Sequence, residues 1–181
     1  MELHKTNEAK LEWLMDEYGR RMLHLIFFLV KNKEVAEDLT QEVFLKAYRS
    51  LDSFRNESTH KTWLYRIAIN EVKKYQRSWN YRKIFASIKI IELSDQHRQD
   101  SVEPQVINEM DKEEMTRIIM KLPLNYRQVI ILHYYQELSV EEIAGILETS
   151  QGAIHNKLYR ARNKLRALLD REEVVWTLRR N

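Results

Sequence analysis

The chain has 181 residues, 30 of them Lys or Arg and 27 Asp or Glu, with no Cys, three Gly and two Pro. That length suits one ordinary domain or two small ones, and the lack of Cys excludes a disulfide framework, thiolate metal sites and a Cys nucleophile. No apolar run approaches the ~18 residues of a membrane span; the Leu23–Val30 stretch is broken by His24 and has no signal-peptide cleavage site, so no membrane insertion is expected and the cytoplasm is the expected compartment.

The formal net charge is only +3, but the basic residues gather. Lys61, Arg66, Lys73, Lys74, Arg77, Arg82 and Lys83 stand against Glu71 in residues 61–83. Lys157, Arg160, Arg162, Lys164, Arg166 and Arg171 stand against Asp170 in residues 151–171. Two such stretches suit two places that meet phosphate, and they equally suit two solvated helix faces.

Low Gly and Pro with abundant Leu, Ile, Glu, Lys and Arg predict a mostly helical protein. Leu11, Leu14, Met15, Tyr18, Met22, Leu25, Ile26 and Leu29 recur at helical spacing and predict a first helix. Val35, Leu39, Val43, Phe44 and Ala47 mark the stripe of a second. The polar stretch 52–61 reads as a loop. Trp63, Leu64, Ile67, Ala68 and Val72 then resume a helical stripe that runs to Arg77. Residues 81–92 fit either a short helix or a strand-like segment, and the polar run from Ser94 to Pro104 reads as a linker.

Asn108 is the expected N-cap of the next helix, whose stripe of Met115, Ile118, Ile119 and Leu122 stops before Pro123. Asn125 is expected to start another, with Val129, Ile130, Leu132 and Tyr135. Ser139 and Glu142 form an S-x-x-E capping box. It opens a short helix with Ile143, Ala144, Ile146 and Leu147. After a break at 148–150, Ile154, Leu158, Ala161, Leu165 and Leu168 mark the last helix. The expected fold class is therefore all-α, two small helical domains joined by a flexible linker: residues 1–84, linker 85–108, and 109–181 with a helix-turn-helix.

Two segments carry functional signals. Residues 139–162, SVEEIAGILETSQGAIHNKLYRAR, read as a helix-turn-helix, with small Ala144 where the helices approach. Gln151, His155, Asn156, Tyr159, Arg160 and Arg162 would be exposed and suit base edges and phosphates in a major groove. Glu148 stands where a turn Gly is common, and Thr149 where an apolar residue is usual. Residues 52–77, DSFRNESTHKTWLYRIAINEVKKYQR, lead a polar loop into a helix of aromatic and basic residues. Such interleaving suits stacking on unpaired bases. The available rings are Trp63, Tyr65, Tyr75, Trp79 and Tyr81, with Trp63 also fitting the core stripe.

In this order and spacing the two halves resemble a bacterial sigma factor of the extracytoplasmic-function (ECF) group, in the sigma-70 family, over roughly residues 8–79 and 109–168. EVAEDLTQEVFLKAY looks like the family's segment that docks on the clamp of core RNA polymerase, and DSF with TWLYRIAIN is similar to its promoter-melting segment. LPLNYRQVIILHYYQELSVEEIAGIL and GAIHNKLYRARNKLR look like its domain for the upstream promoter element. Three positions depart from the family's habit: Lys74 where an acid is frequent, Ala153 where Thr or Ser is usual, and His155–Asn156 where Lys and Ser or Thr are commoner.

The resemblance implies a sigma factor that binds core RNA polymerase and promoter DNA and directs promoter-specific initiation. Asp38, Gln41, Glu42, Phe44 and Lys46 would face the polymerase clamp, a hydrophobic centre within a polar rim. Asn56, Ser58, Thr59 and Lys61 would line a loop that holds a flipped base of the −10 element. Asn70, Lys73, Lys74 and Arg77 would grip the same element. Gln151, His155, Asn156, Lys157 and Arg160 would dock on the −35 element, with Arg162 and Lys164 on phosphate. The linker would thread toward the polymerase's RNA channel. The resemblance also implies an anti-sigma factor, often membrane-anchored, that masks the polymerase-binding surface.

No catalytic residue, cofactor or metal is expected, because the acids form no paired site and the six His lack close metal spacing. His133, beside an apolar stripe, reads as structural. Three rivals remain at this level. A stand-alone helix-turn-helix regulator would leave the melting segment unused. A helical RNA-binding or nuclease-like enzyme lacks the acidic cluster. A pure interaction module would leave both basic helices unexplained.

Overall fold

The computed structural model describes residues 6–54, 59–78 and 109–179. Asn56 and Ser58 lie outside the described residues, as do Trp79, Tyr81, the 81–92 segment, the expected linker and Asn108. Every regular element among the described residues is a helix. The chain divides into two compact units, residues 1–105 and 106–181. No helix among the described residues is long and apolar enough to cross a membrane.

In the first unit, α1 (Asn7–Val30), α2 (Lys33–Ser50) and α3 (His60–Arg77) pack against one another. Thr6 caps α1, its Oγ1 accepting from the Ala9 N–H at 3.3 Å. Two residues then reverse the chain. Lys31 sits in the left-handed region at φ 60° and donates its N–H to the Phe27 carbonyl at 2.8 Å. Asn32 caps α2, its Oδ1 accepting from the Val35 N–H at 2.9 Å. A left-handed C-cap followed at once by a side-chain N-cap satisfies the orphan backbone groups of both helix ends. The core holds Leu14, Met22, Leu25, Ile26 and Leu29 of α1, Val43 and Phe44 of α2, and Leu64, Tyr65 and Ile69 of α3. The buried alanines Ala36, Ala47 and Ala68 leave room for the helices to approach.

The α3 stripe is turned relative to the sequence reading. Its buried side runs through Leu64, Tyr65, Ala68, Ile69 and Val72, and leaves Trp63 and Ile67 half-buried. Tyr65, expected among the rings open to bases, is wholly buried. Each helical residue turns the face by about 100°, so the apolar run Trp63–Leu64–Tyr65 fits two stripes, and packing selects the one continued by Ile69 and Val72.

The second unit contains α4 (Glu109–Lys121), α5 (Leu124–Ile130), α6 (Val140–Leu147) and α7 (Gln151–Arg179). Its core comprises Ile118, Ile119 and Leu122, then Val129 to Leu132 and Leu138, then Ile143 and Ile146, and Ile154, Leu158 and Ala161. Asn125 does not start α5. The helix begins at Leu124 behind Pro123, with no side-chain cap bond, because proline's fixed φ already suits the entry to a helix. Buried Arg127 caps the carboxyl end of α4 at the same junction, donating from Nη1 to the carbonyls of Met120 and Leu122, each at 3.0 Å.

Helix α5 runs on into a π-helical turn, Ile131–Tyr135, closed by the Gln136 N–H on the Ile131 carbonyl at 3.0 Å. His133 donates from Nδ1 to the Leu138 carbonyl at 2.9 Å, a structural bond that turns the chain toward α6.

Candidate polymerase and nucleic-acid interfaces

The helix-turn-helix is built by local chemistry. Ser139 Oγ accepts from the Glu142 N–H at 3.1 Å, and Glu142 Oε2 accepts from the Ser139 N–H at 2.8 Å, completing the expected capping box. Helix α6 ends at Glu148, left-handed at φ 54°, and the Thr149 N–H donates to the Ala144 carbonyl at 3.0 Å. Ser150 Oγ accepts from the Ala153 N–H at 3.2 Å and so caps the start of α7. Thr149 is half-buried in the turn.

With Ile154, Leu158 and Ala161 buried, α7 leaves Gln151, Gly152, His155, Asn156, Tyr159 and Arg160 exposed as a polar surface. Lys157 is half-buried on its flank and Lys164 is exposed. Arg162 is exposed but aims back at its own domain, Nη1 donating to the Tyr134 hydroxyl at 3.4 Å. A shallow apolar groove beside it is lined by Met115, Ile119, Ile130, Tyr134, Tyr135 and Leu165. Burial raises the Tyr135 phenol above its ordinary value.

At the other site, α3 exposes Asn70, Lys74 and Arg77, with Lys73 half-buried. Thr59 caps α3: its Oγ1 accepts from the Thr62 N–H at 3.1 Å and lies 3.0 Å from the Thr62 hydroxyl. Lys61 is half-buried in the first turn. The described residues on either side of 55–58 are tied together by aromatic packing. Phe54 lies 4.6 Å from His60 and 5.0 Å from Trp63 between ring centroids, and Trp13 of α1 meets His60 edge-on at 6.0 Å. The bracing role of Phe54, His60 and Trp13 had no periodic signal in the sequence, because it depends on a contact with α1.

The outer face of α2 carries Asp38 and Gln41, both exposed, and half-exposed Glu42. Phe44 is not on it. At 5% exposure Phe44 belongs to the core, and the exposed aliphatic residue next to it on this helix is Leu45, 49% exposed. The reason is rotation: Phe44 shares the side of Val43 and Ala47, and Leu45 lies about 100° farther round. Lys46 is turned toward α3, where its Nζ lies 2.5 Å from Glu71 Oε1, with Glu42 Oε1 at 4.0 Å. Glu71 was legible in the sequence as the lone acid of a basic stretch, but not its pairing with α2. Among the described residues, no three His, Asp or Glu side chains gather as a metal site.

Residues 14–81 match the family Sigma-70 region 2, and residues 112–165 match Sigma-70, region 4. The chain is 32% identical over 179 residues to the ECF RNA polymerase sigma-E factor of Escherichia coli strain K12, covering 93% of each chain. It is 35% identical over 157 residues to the RNA polymerase sigma factor YlaC of Bacillus subtilis strain 168, covering 86% of this chain and 90% of that one. Among solved structures, the sigma factor RpoE of Bartonella quintana, in complex with the anti-sigma factor NepR, is similar at a TM-score of 0.67 and 26% identity, covering 89% of this chain and 97% of that one. CnrH, solved with the cytosolic domain of CnrY, shares the fold at a TM-score of 0.64 and 23% identity, covering 92% of this chain and 90% of that one. With both regions matched in order and such relatives aligned nearly end to end, the chain belongs to the ECF group of the sigma-70 family of bacterial RNA polymerase sigma factors.

Proposed function

We propose that this chain is a promoter-recognising sigma factor that binds core RNA polymerase, takes up the −10 element with its first unit and reads the −35 element with its helix-turn-helix. The carrying observation is that a region 2 unit and a region 4 helix-turn-helix occur on one chain, each presenting a polar helix surface outside a closed core. Holding both on one polymerase fixes the spacing of the two elements and raises the effective concentration of the second contact.

Asp38, Gln41 and Glu42 form the polar rim of the proposed docking face, and Leu45 takes the central apolar place first given to Phe44. Asn70, Lys73, Lys74 and Arg77 grip the melted strand, while Thr59 and Lys61, together with Asn56 and Ser58, take part in capturing the flipped base. Gln151, His155, Asn156 and Arg160 meet base edges and the backbone, and Lys157 and Lys164 meet phosphate. Arg162 requires release from Tyr134 to join them. The chain acts by binding, leaving phosphodiester chemistry to the polymerase. An anti-sigma factor is the proposed regulator, since the Bartonella quintana relative is solved with one.

The test is run-off transcription from fragmented source DNA with bacterial core polymerase, with and without the purified chain. Discrete transcripts that require the chain are expected, and their mapped starts give the promoter elements. Absence of transcripts, with a control sigma factor active, overturns the reading and leaves a helix-turn-helix regulator.

A further inference from the structure

Glu71 is a buried acid that the proposed function leaves without a role. Its side chain is 8% exposed, and its two oxygens face two different lysines. Oε1 lies 2.5 Å from Lys46 Nζ on α2, and that side chain is one-third exposed. Oε2 lies 4.0 Å from Lys74 Nζ on its own helix, and that side chain is 74% exposed. One lysine is therefore hydrogen-bonded to the carboxylate, and the other is loosely attracted from a largely exposed position. A carboxylate carries one negative charge, so the stronger pair weakens the hold on the second lysine. A buried acid deprived of one cation draws harder on the other, because an unpaired buried charge is costly.

We propose that Glu71 is a positioning residue that divides its charge between Lys46 and Lys74, and thereby sets how fully Lys74 is available to promoter phosphate. In this arrangement Lys46 holds the carboxylate and so leaves Lys74 to the DNA. The proposal rests on the sigma reading above, because it needs α3 to lie along DNA. Its distinctive consequence is that a lysine on the docking helix, which itself touches no DNA, controls an electrostatic contact made by a neighbouring helix.

The test measures promoter affinity of the reconstituted holoenzyme against KCl concentration, on a fragment recovered by run-off transcription. Each phosphate neutralised contributes about 0.9 to the slope on duplex and about 0.7 on single strands. In Lys46→Met the carboxylate turns to Lys74, so the slope is expected to become shallower by about 0.7–0.9. Glu71→Gln leaves Lys74 unpaired and is expected to keep a slope at least as steep as wild type. Combining Lys46→Met with Glu71→Gln is expected to restore that slope. A general weakening of the fold lowers affinity but gives no such reversal. If Lys46→Met fails to fold, Lys46→Gln provides the same comparison. An unchanged slope in the Lys46 variant, or a shallow slope persisting in the double variant, overturns the role of Glu71 alone. A wild-type chain that drives no transcription overturns both this role and the sigma reading.

Discussion

Arg127 donates from a single guanidinium nitrogen to the carbonyls of Met120 and Leu122, both at 3.0 Å, from a position only 4% exposed. A cation is thus buried at the carboxyl end of α4, where the helix leaves unpaired carbonyls and a partial negative charge. Replacing it with Ala strands those carbonyls and opens space beside Leu122. The expected loss is about 2–4 kcal/mol, read as a lower unfolding temperature of the second unit. Lys is a poor substitute, because an ammonium is more strongly hydrated than a guanidinium and costs more to bury. A variant melting like wild type would show that the bond contributes nothing net.

Glu148 makes the opposite kind of prediction. It holds φ 54° at the end of α6, with its side chain exposed. A non-glycine residue in that region costs roughly 1–2 kcal/mol. Glu148→Gly removes the strain, at the price of greater backbone freedom in the unfolded chain. The expected net gain is a few tenths to about 1 kcal/mol, measured as a raised unfolding temperature. The tight turn between α6 and α7 needs no Gly in order to form, only in order to form without strain.

Neighbouring Phe44 and Leu45 separate stability from docking. Phe44→Ala cuts a buried ring from the core and is expected to cost about 3–5 kcal/mol. Leu45→Ala removes a half-exposed side chain and is expected to leave the unfolding temperature nearly unchanged, while weakening assembly with core polymerase by roughly 1–2 kcal/mol. Thermal melts and fluorescence anisotropy with labelled core enzyme check the pair. Equal assembly of wild type and the Leu45 variant would remove Leu45 from the docking face.

This pair also marks what the sequence could and could not tell. Periodicity located the helices, and the Ser139–Glu142 cap and the 148–150 break located the helix-turn-helix, because these are local signals. Phe44 was already visible on the stripe with Val43 and Ala47, yet its place in the motif assigned it to the docking face as well. A residue cannot fill both roles in one conformation, and packing decides for the core. Tyr65 was misread for a related reason: a three-residue apolar run is compatible with two helix faces. The Lys46–Glu71 pair, the Phe54–His60 contact and the Arg127 cap join residues on different elements or across a junction. No spacing rule reports such contacts, since they exist only once the helices have been docked.

Tyr48 donates its hydroxyl to Glu8 Oε1 at 2.7 Å, joining the start of α1 to the end of α2. That bond is the main cause holding the Glu8 carboxyl below its ordinary value of 4.5, and it raises the Tyr48 phenol. A depressed acid contributes stability that is present above its unfolded value and is lost as pH falls through the lower folded value. A raised phenol contributes below the ordinary tyrosine value of 10.0 and loses its contribution as pH rises through the higher folded one. Tyr48→Phe is therefore expected to lower the unfolding temperature slightly at neutral pH, with the difference shrinking toward both extremes. The effect is small because both groups face solvent, which screens the bond. Melts across a pH series check it, and a difference constant across the series would exclude this linkage.

Gly152 stands in the first turn of α7 on the exposed side, and a Cβ built there meets no atom of the protein within 4 Å. Gly in a helix is destabilising by roughly 0.5–1 kcal/mol relative to Ala, and nothing inside this domain requires its small size. Gly152→Ala is therefore expected to raise the unfolding temperature of the second unit. If the start of α7 sits in the major groove beside Gln151 and Asn156, the same methyl group enters the space between helix and DNA. Transcription that depends on the −35 element should then fall although the protein has become more stable, whereas assembly with core polymerase should not change. Raised stability with unaltered promoter use would mean that DNA does not approach this turn closely, and would shift the reading surface of α7 toward His155, Tyr159 and Arg160.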